Sequence, residues 1–448
     1  MQRFAWRFLA AVSLISLAPQ ASAETRPRYG GTLVVESHGA PALTDPGEWP
    51  LRLVPLVYGR LVRLSERGEP QPALAISWQH DSSYKRWEFH LRPHAMFHDG
   101  SPVTAAAVAA SLKDWTNVTA LGESILVFQN DSPAPDLPVR LASVRGAILA
   151  RGADGATIGT GPFRITEWQP GKRALLGAYE GYWGGRPFVD FIEVRMGRAY
   201  RDQAIDLELG KADLVEIPLT DVRRAAQQAF RTWTTAPSEL LALLFERGHA
   251  DTEIARVREA VAVSIDRAAI RDVLLQGQGE ATGAILPAWL TGYSFLFPAA
   301  RDLDRARQLT APLPKPGPRV SLGYDPADPL ARPIAERIAL NVREAGIVMQ
   351  PVPGAHADAR LVKLPLPSLA PAQGLAEVSV LLGSQDRIAA AAPEALFAAE
   401  HRLLEDFRLV PLFHLPEVYG VSPRLRNWDP QPWGDWRLDD VWLEARKP

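Results

Sequence analysis

Trp87 to Leu112 reads WEFHLRPHAMFHDGSPVTAAAVAASL. Trp87, Phe89 and Leu91 alternate with Glu88, His90 and Arg92, the period-2 pattern of a half-buried strand. Pro93 ends the alternation, Asp99-Gly100 is a turn dipeptide, and Thr104 can cap an Ala/Val/Leu helix. A strand, a tight turn and a helix thus follow within one short segment.

The same run resembles the L-R-x-x-x-x-F-H-D-G-x-P-x-T-A signature of family 5 extracytoplasmic solute-binding proteins, the oligopeptide, dipeptide and nickel-type receptors of ABC importers. Leu91, Arg92, Phe97, His98, Asp99, Gly100, Pro102, Thr104 and Ala105 match it. Ala107 stands where the family usually has an acidic residue. Upstream, Gly30-Gly31 precede the β-branched strand Thr32 to Glu36, as family members open. Tyr58, Leu61, Pro72, Leu74, Ala75, Ser77 and Trp78 carry a pattern similar to the family's Y-x-x-L, turn, L-A-x-S-W.

Downstream, Leu126–Phe128 and Val139–Leu141 read as strands around a Pro-rich turn. The resemblance places this region in a sub-domain appended to the first lobe, here cut down. Gly159-Thr160-Gly161-Pro162 and Tyr182-Trp183-Gly184-Gly185 with Pro187 resemble the family's G-T-G-P and Y-W-G-G-x-P block, with Tyr179 replacing the usual Asn. Gly210 and Asp213 match L-x-x-G-x-x-D. LLALLF, within Thr234 to Phe245, reads as a crossing strand. Residues 250–279 read as two helices, one capped by Asp251 or Thr252 and one started by Asp266. Arg256, Val257, Arg258, Ala260, Ile265, Asp266, Arg267, Gly277 and Gly279 match the family there. A helix from Pro333 to Ala345, a helix and strand within Leu396 to Leu415, and a closing Trp442 strand complete the pattern. Between Pro351 and Pro393 the likeness fades, and the acidic loop that the family carries near its ligand has no counterpart.

The resemblance implies an α/β, two-lobed periplasmic binding protein fold of type II, with mixed sheets flanked by helices and a hinged cleft. It divides the chain into a signal peptide at 1–23, a first lobe at 24–48, 158–236 and 421–448, a reduced sub-domain at 49–157, and a second lobe at 237–420. The crossings are expected near residues 237 and 420.

Export is read from the N-terminus itself. Arg3 and Arg7 precede the apolar Phe8 to Leu17, and Ala21-Ser22-Ala23 offers a cleavage site before Glu24. Cysteine is absent, which excludes disulfides, thiolate metal sites, a cysteine nucleophile and a lipid anchor at the cleavage site. The expected compartment is the periplasm. With 49 basic and 51 acidic residues and no like-charged block, nothing points to nucleic acid or anionic lipid.

His90, His94 and His98 would line one face of a helix and could hold metal. Pro93 and the strand pattern argue against a shared helix, so no metal or cofactor is expected. The glycines at 159 and 161 lack the Lys-Ser/Thr of a phosphate loop. No G-x-S-x-G or H-E-x-x-H motif is present, so catalysis is not expected.

By resemblance the chain is the substrate-binding protein of an ABC importer, a monomer that takes a small molecule or short peptide and delivers it to a permease and ATPase complex. Glu36 and Ser37, at the end of the first strand, are candidate ligand contacts, as are Phe245 and Arg247 at the entry to the second lobe. Trp428 and Trp433 are candidate aromatic walls near the lobe junction. Without the acidic loop, a buried α-amine would lack its counter-charge, so the ligand is open between a peptide, a smaller solute and a metal chelate. A degenerate member acting as a sensor or interaction module, and a secreted enzyme, are the alternatives.

Overall fold

The computed structural model describes residues 26–445, apart from 40–52, 114, 116, 153–156, 229, 367, 385–387, 389–391, 430 and 432–435. The expected signal segment and Trp433 lie outside the described residues. Thr32–Glu36, apolar and β-branched, forms an inner strand of a seven-stranded sheet. The strand order is Phe163–Gln169, Arg173–Ala178, Phe191–Arg195, Thr32–Glu36, Leu214–Glu216, Val418–Val421 and Arg231–Thr234. Thr32–Glu36 runs parallel to both neighbours, with Thr32 opposite Phe191 and Val35 opposite Leu214. Leu33 and Val35 enter one core and Val34 another, because successive side chains leave a strand on opposite faces.

A second sheet has six strands, in the order Glu280–Ala281, Leu409–Leu415, Glu239–Phe245, Ala359–Pro365, Arg319–Tyr324 and Val348–Pro353. The LLALLF strand lies between two antiparallel partners. It places Leu241, Leu243 and Phe245 in one core and Leu240, Ala242 and Leu244 in the other. A continuous apolar run is what a strand covered on both faces needs. Helix Ala331–Arg343 covers one face through Ile334, Ile338 and Val342, spaced by one helical turn.

The chain leaves the first sheet after Thr234 and enters the second at Glu239; it returns through Pro416 and Glu417, a few residues before residue 420. The signature run folds into a separate four-stranded sheet, ordered Ala75–His80, Arg86–Leu91, Ile125–Gln129 and Val118–Leu121. Helix Ala105–Ser111 follows, and Thr104 caps it by accepting the Ala107 amide at 3.2 Å. Trp87, Phe89, Leu91 and Val108 share one core.

Two local expectations are corrected. Val139–Leu141 belongs to a short helix, Leu137–Leu141, with Pro138 in its first turn and Leu137 and Leu141 buried together. A proline suits the first helical turn, where no amide partner is lost. The helix expected to be capped by Asp251 or Thr252 is two helices, Ala250–Glu253 and Ala255–Ser264, divided at Ile254 (φ −75°, ψ 107°). Asp251 instead accepts the Arg319 amide at 2.9 Å.

Motif residues further along also hold the frame. Asp266 caps helix Arg267–Val273 by accepting the Ala269 amide at 2.9 Å. Arg267, buried, donates twice to the Pro411 carbonyl, at 3.1 and 2.9 Å. Arg258 donates to the carbonyls of Thr252, Glu253 and Asp406 at 2.7 to 2.9 Å. Each guanidinium replaces its lost water with carbonyl oxygens, the condition for burying a cation.

Candidate functional site

A cavity of about 790 Å³ lies between the two sheets and the strands that join them. Its first wall begins at the carboxyl ends of parallel strands: Ser37, His38 and Gly39 follow Thr32–Glu36, and Glu216, Ile217 and Pro218 end the Leu214 strand. Asp325, Ala327 and Asp328 of the opposite wall follow Arg319–Tyr324, which is parallel to Val348–Pro353. Open α/β sheets place ligands at such carboxyl ends, where loops diverge. Glu239, Leu241, Leu361 and Lys363 line the second wall, and Leu415 to Tyr419 line the return crossing.

Polar contacts order this rim. Glu216 accepts the His38 amide at 2.7 Å and the Ser37 hydroxyl at 3.2 Å. The His38 ring stacks on Tyr200 with centroids 4.3 Å apart. One ring nitrogen faces the Arg198 carbonyl at 3.3 Å; the other faces the Ala327 carbonyl, across the cleft, at 3.1 Å. Glu417 accepts the Tyr419 hydroxyl at 2.6 Å. Asp325 and Asp328 accept the amides of Ala327 and Leu330, each at 2.9 Å, which fixes their turns.

Lys363 Nζ lies 2.9 Å from Asp328 and 3.8 Å from Glu239. Burial works against its ammonium, but Glu239, Asp328 and Asp325 outweigh that effect and hold its pKa above the usual lysine value. The lobes also meet through Arg145 and Glu377 at 3.0 Å, and through Arg223 and the Gln276 carbonyl at 3.2 Å.

Of the six residues singled out from sequence, Ser37 lines the cavity. Glu36 is fully buried beneath it, with one oxygen 3.3 Å from Arg195 and the other without a hydrogen-bond partner. Burial, aided by Asp206, pushes the Glu36 carboxyl above its ordinary pKa. Phe245 sits in the second lobe's core, roughly 13 Å beyond Leu241 at the rise of a strand. Arg247, past it, donates to the Leu382 carbonyl at 3.0 Å. Trp428 packs in the first lobe's core, with ring centroids 5.6 Å from Trp233 and 6.0 Å from Tyr419. Trp433 lies outside the described residues.

Sequence reading passed over His38, Tyr200, Glu216, Glu239, Asp325, Asp328, Lys363 and Glu417. The available signal was position: His38, Glu216 and Asp325 end or follow strands that run in parallel. Among the described residues no group of three or more His, Cys, Asp or Glu is placed to hold a metal ion.

A family model described as bacterial extracellular solute-binding proteins, family 5, matches residues 69–361. The probable D,D-dipeptide-binding periplasmic protein DdpA of Escherichia coli is 24% identical over 347 residues, 69% of this chain and 67% of that protein. The nickel-binding periplasmic protein of E. coli is 25% identical over 338 residues, 65% and 64% of the two chains. The chain therefore spans about two thirds of the length of these relatives. A solved dipeptide binding protein from Pseudoalteromonas, in complex with Met-Leu, superposes with a TM-score of 0.80 at 16% identity, over 92% of this chain and 100% of that one. Its likeness is one of fold: two lobes about a cleft.

Proposed function

This chain belongs to family 5 of the bacterial extracellular solute-binding proteins, and from that premise we propose that it is the substrate-binding protein of an ABC importer. It captures a small solute, by default a peptide, between its lobes. The observation that carries this reading is the 790 Å³ cavity walled by both lobes and by the return crossing. Pockets of this size bury most of a small ligand. Contacts to both walls exist together only in the closed form, so a ligand that makes them shifts the population toward closure. The closed form is then what a membrane permease and its ATPase receive.

The lobe division that serves this mechanism is 24–48, 158–236 and 421–448 against 237–420, with 49–157 as an appended sub-domain. We place the protein in the periplasm, exported through a cleaved signal peptide without a lipid anchor, and working as a monomer without catalysis. Among the described residues no helix is long and apolar enough to cross a membrane. Ser37, a candidate from the sequence that also lines the cavity, is the ligand contact we propose.

Thermal-shift screening of the protein against peptide, sugar, amine and metal-chelate pools tests this. A ligand that raises the melting temperature and is recovered unchanged is the expected result. Turnover of that ligand would replace the receptor with an enzyme, and silence from all pools would leave a non-transport module.

A further inference from the structure

A second, smaller cavity lies where the Tyr182-Trp183 turn, the Val62–Leu64 strand and the C-terminal segment meet. It measures about 110 Å³ and shares no described lining residue with the interlobe cavity, so its role is independent of the receptor reading above. The space takes several water molecules, or a solute of a few non-hydrogen atoms.

Its wall carries polar groups that the protein leaves unmet. Trp183 Nε1 and Gln431 Oε1 are buried there without a hydrogen-bond partner. Such atoms are costly to withdraw from water. The Arg92 guanidinium lies 4.4 Å over the Trp183 ring and helps to fix the indole in place. Asp439, Arg63 and Arg437 also line the cavity, and among the described residues no ion pair joins the carboxylate to either guanidinium. All three nevertheless surround the Tyr182 hydroxyl. Burial and Asp439 push that phenol's pKa up, while Arg63 and Arg437 work against them.

These groups suit a solute that carries both signs of charge. An anion alone would meet the guanidinium groups and the Trp183 N–H, but it would face Asp439 and give the Gln431 oxygen no donor. A cation alone would meet Asp439 and Gln431 and be repelled by the arginines. We propose that this cavity is a second ligand site, for a small amino acid in its zwitterionic form. Its carboxylate lies toward Trp183, Arg63 and Arg437, and its ammonium toward Asp439 and the Gln431 oxygen. The wall comes from separate stretches of chain, so occupancy ties the C-terminal segment to the Val62–Leu64 strand and stabilises the folded state.

Nuclear magnetic resonance of the full protein, isotopically labelled at its tryptophan indoles, tests the proposal by titration with glycine and L-alanine. Trp183→Phe identifies the Trp183 signal among the thirteen. We expect that signal to move downfield with at least one of the two amino acids, half-saturating below about 10 mM. Acetate and methylammonium, which carry one charge each, should bind at least about fivefold more weakly. Asp439→Asn and Gln431→Leu should each weaken the amino acid about fivefold or more. Their ligand-free melting temperatures report folding; should either fail to fold, the ranking of the probes on the unaltered protein decides. A Trp183 signal that stays still with both amino acids means a cavity filled by water only and overturns the site. Equal or tighter binding of acetate or methylammonium overturns the zwitterion, and a shift that survives Asp439→Asn unchanged arises elsewhere and overturns it too. Each of these failures leaves the interlobe receptor standing, because the thermal-shift screen tests that separately.

Discussion

His98, in the signature segment, and His38, on the cleft rim, show how differently the two regions use their polar groups. His98 faces inward: its ring nitrogens meet the Gly161 carbonyl at 3.0 Å and the Gly159 amide at 3.4 Å. Burial pushes its pKa down, which favours the neutral ring that can donate to one and accept from the other. Asp99 accepts the Ser101 amide and hydroxyl, and the Tyr179 hydroxyl donates to the Phe97 carbonyl at 2.7 Å. A Cβ on Gly159 would overlap the Val57 carbonyl, so the glycine there serves close packing. His38, by contrast, reaches across the cleft to Ala327, and the carboxylates around it face a cavity. The region with the strongest sequence pattern joins the protein to itself; the weakly patterned region lines the cavity between the lobes.

If that contrast holds, damage to the frame should cost stability without altering specificity. Asp213 is the severest case. Its buried carboxylate accepts the Val34 amide at 3.0 Å and pairs with Arg424 Nη2 at 2.8 Å. That hydrogen bond is the main reason the Arg424 pKa stands above its ordinary value. Asp213→Ala leaves a guanidinium and an amide without their partner, at a cost of about 3–5 kcal/mol. Urea unfolding should show this loss while the folded fraction keeps its ligand preference. A change of preference at undiminished stability would make Asp213 a determinant of ligand choice and not of the frame.

The frame also carries a pH dependence. His414 is buried with one ring nitrogen 3.0 Å from the Ile285 carbonyl, and burial pushes its pKa down to about 4 from an ordinary 6.5. As pH falls below 6.5 the unfolded chain takes up this proton first. The stability His414 contributes is therefore complete above pH 6.5 and is lost on the way to about pH 4, on the order of 3 kcal/mol. Glu400 nearby has its pKa raised by burial and acts with the opposite sign. The difference between the unaltered protein and His414→Gln isolates the histidine. Parallel stability curves from pH 7 to pH 4 would remove it as the cause.

Why the frame was legible and the rim was not follows from how each is encoded. Strand alternation at Trp87–Leu91, the apolar run LLALLF and the caps at Thr104 and Asp266 are local patterns, complete within a few residues of chain. The cleft joins residues from both ends of the chain: Glu216 touches Ser37 and His38 about 179 positions away, and His38 meets Ala327 289 positions away. No periodicity announces such pairs. Phe245, expected at the entry to the second lobe, and Trp428, expected as an aromatic wall near the lobe junction, both pack in cores, where large apolar side chains gain most. Val139–Leu141 misled for another reason: a short apolar run around one proline fits either a strand or a helix turn.

The smallest effect is the sharpest test of the rim. His38→Ala removes one hydrogen bond across the cleft and the stacking on Tyr200, but leaves the Glu216 contact to the backbone amide at position 38. A net hydrogen bond is worth about 1 kcal/mol, so the closed population should fall by about fivefold relative to the open one. Apparent affinity should fall by the same factor, because only the closed form engages both walls. The melting temperature without ligand should hardly move. Arg145→Ala is the control, since it also removes an interlobe contact, the pair with Glu377, but from a side chain 64% exposed. Exposed ion pairs contribute little, so this variant should bind like the unaltered protein. X-ray scattering with saturating ligand, and titration calorimetry, separate the two. If Arg145→Ala opened the lobes as far as His38→Ala, closure would depend on the number of contacts between lobes and not on the chemistry of the cleft.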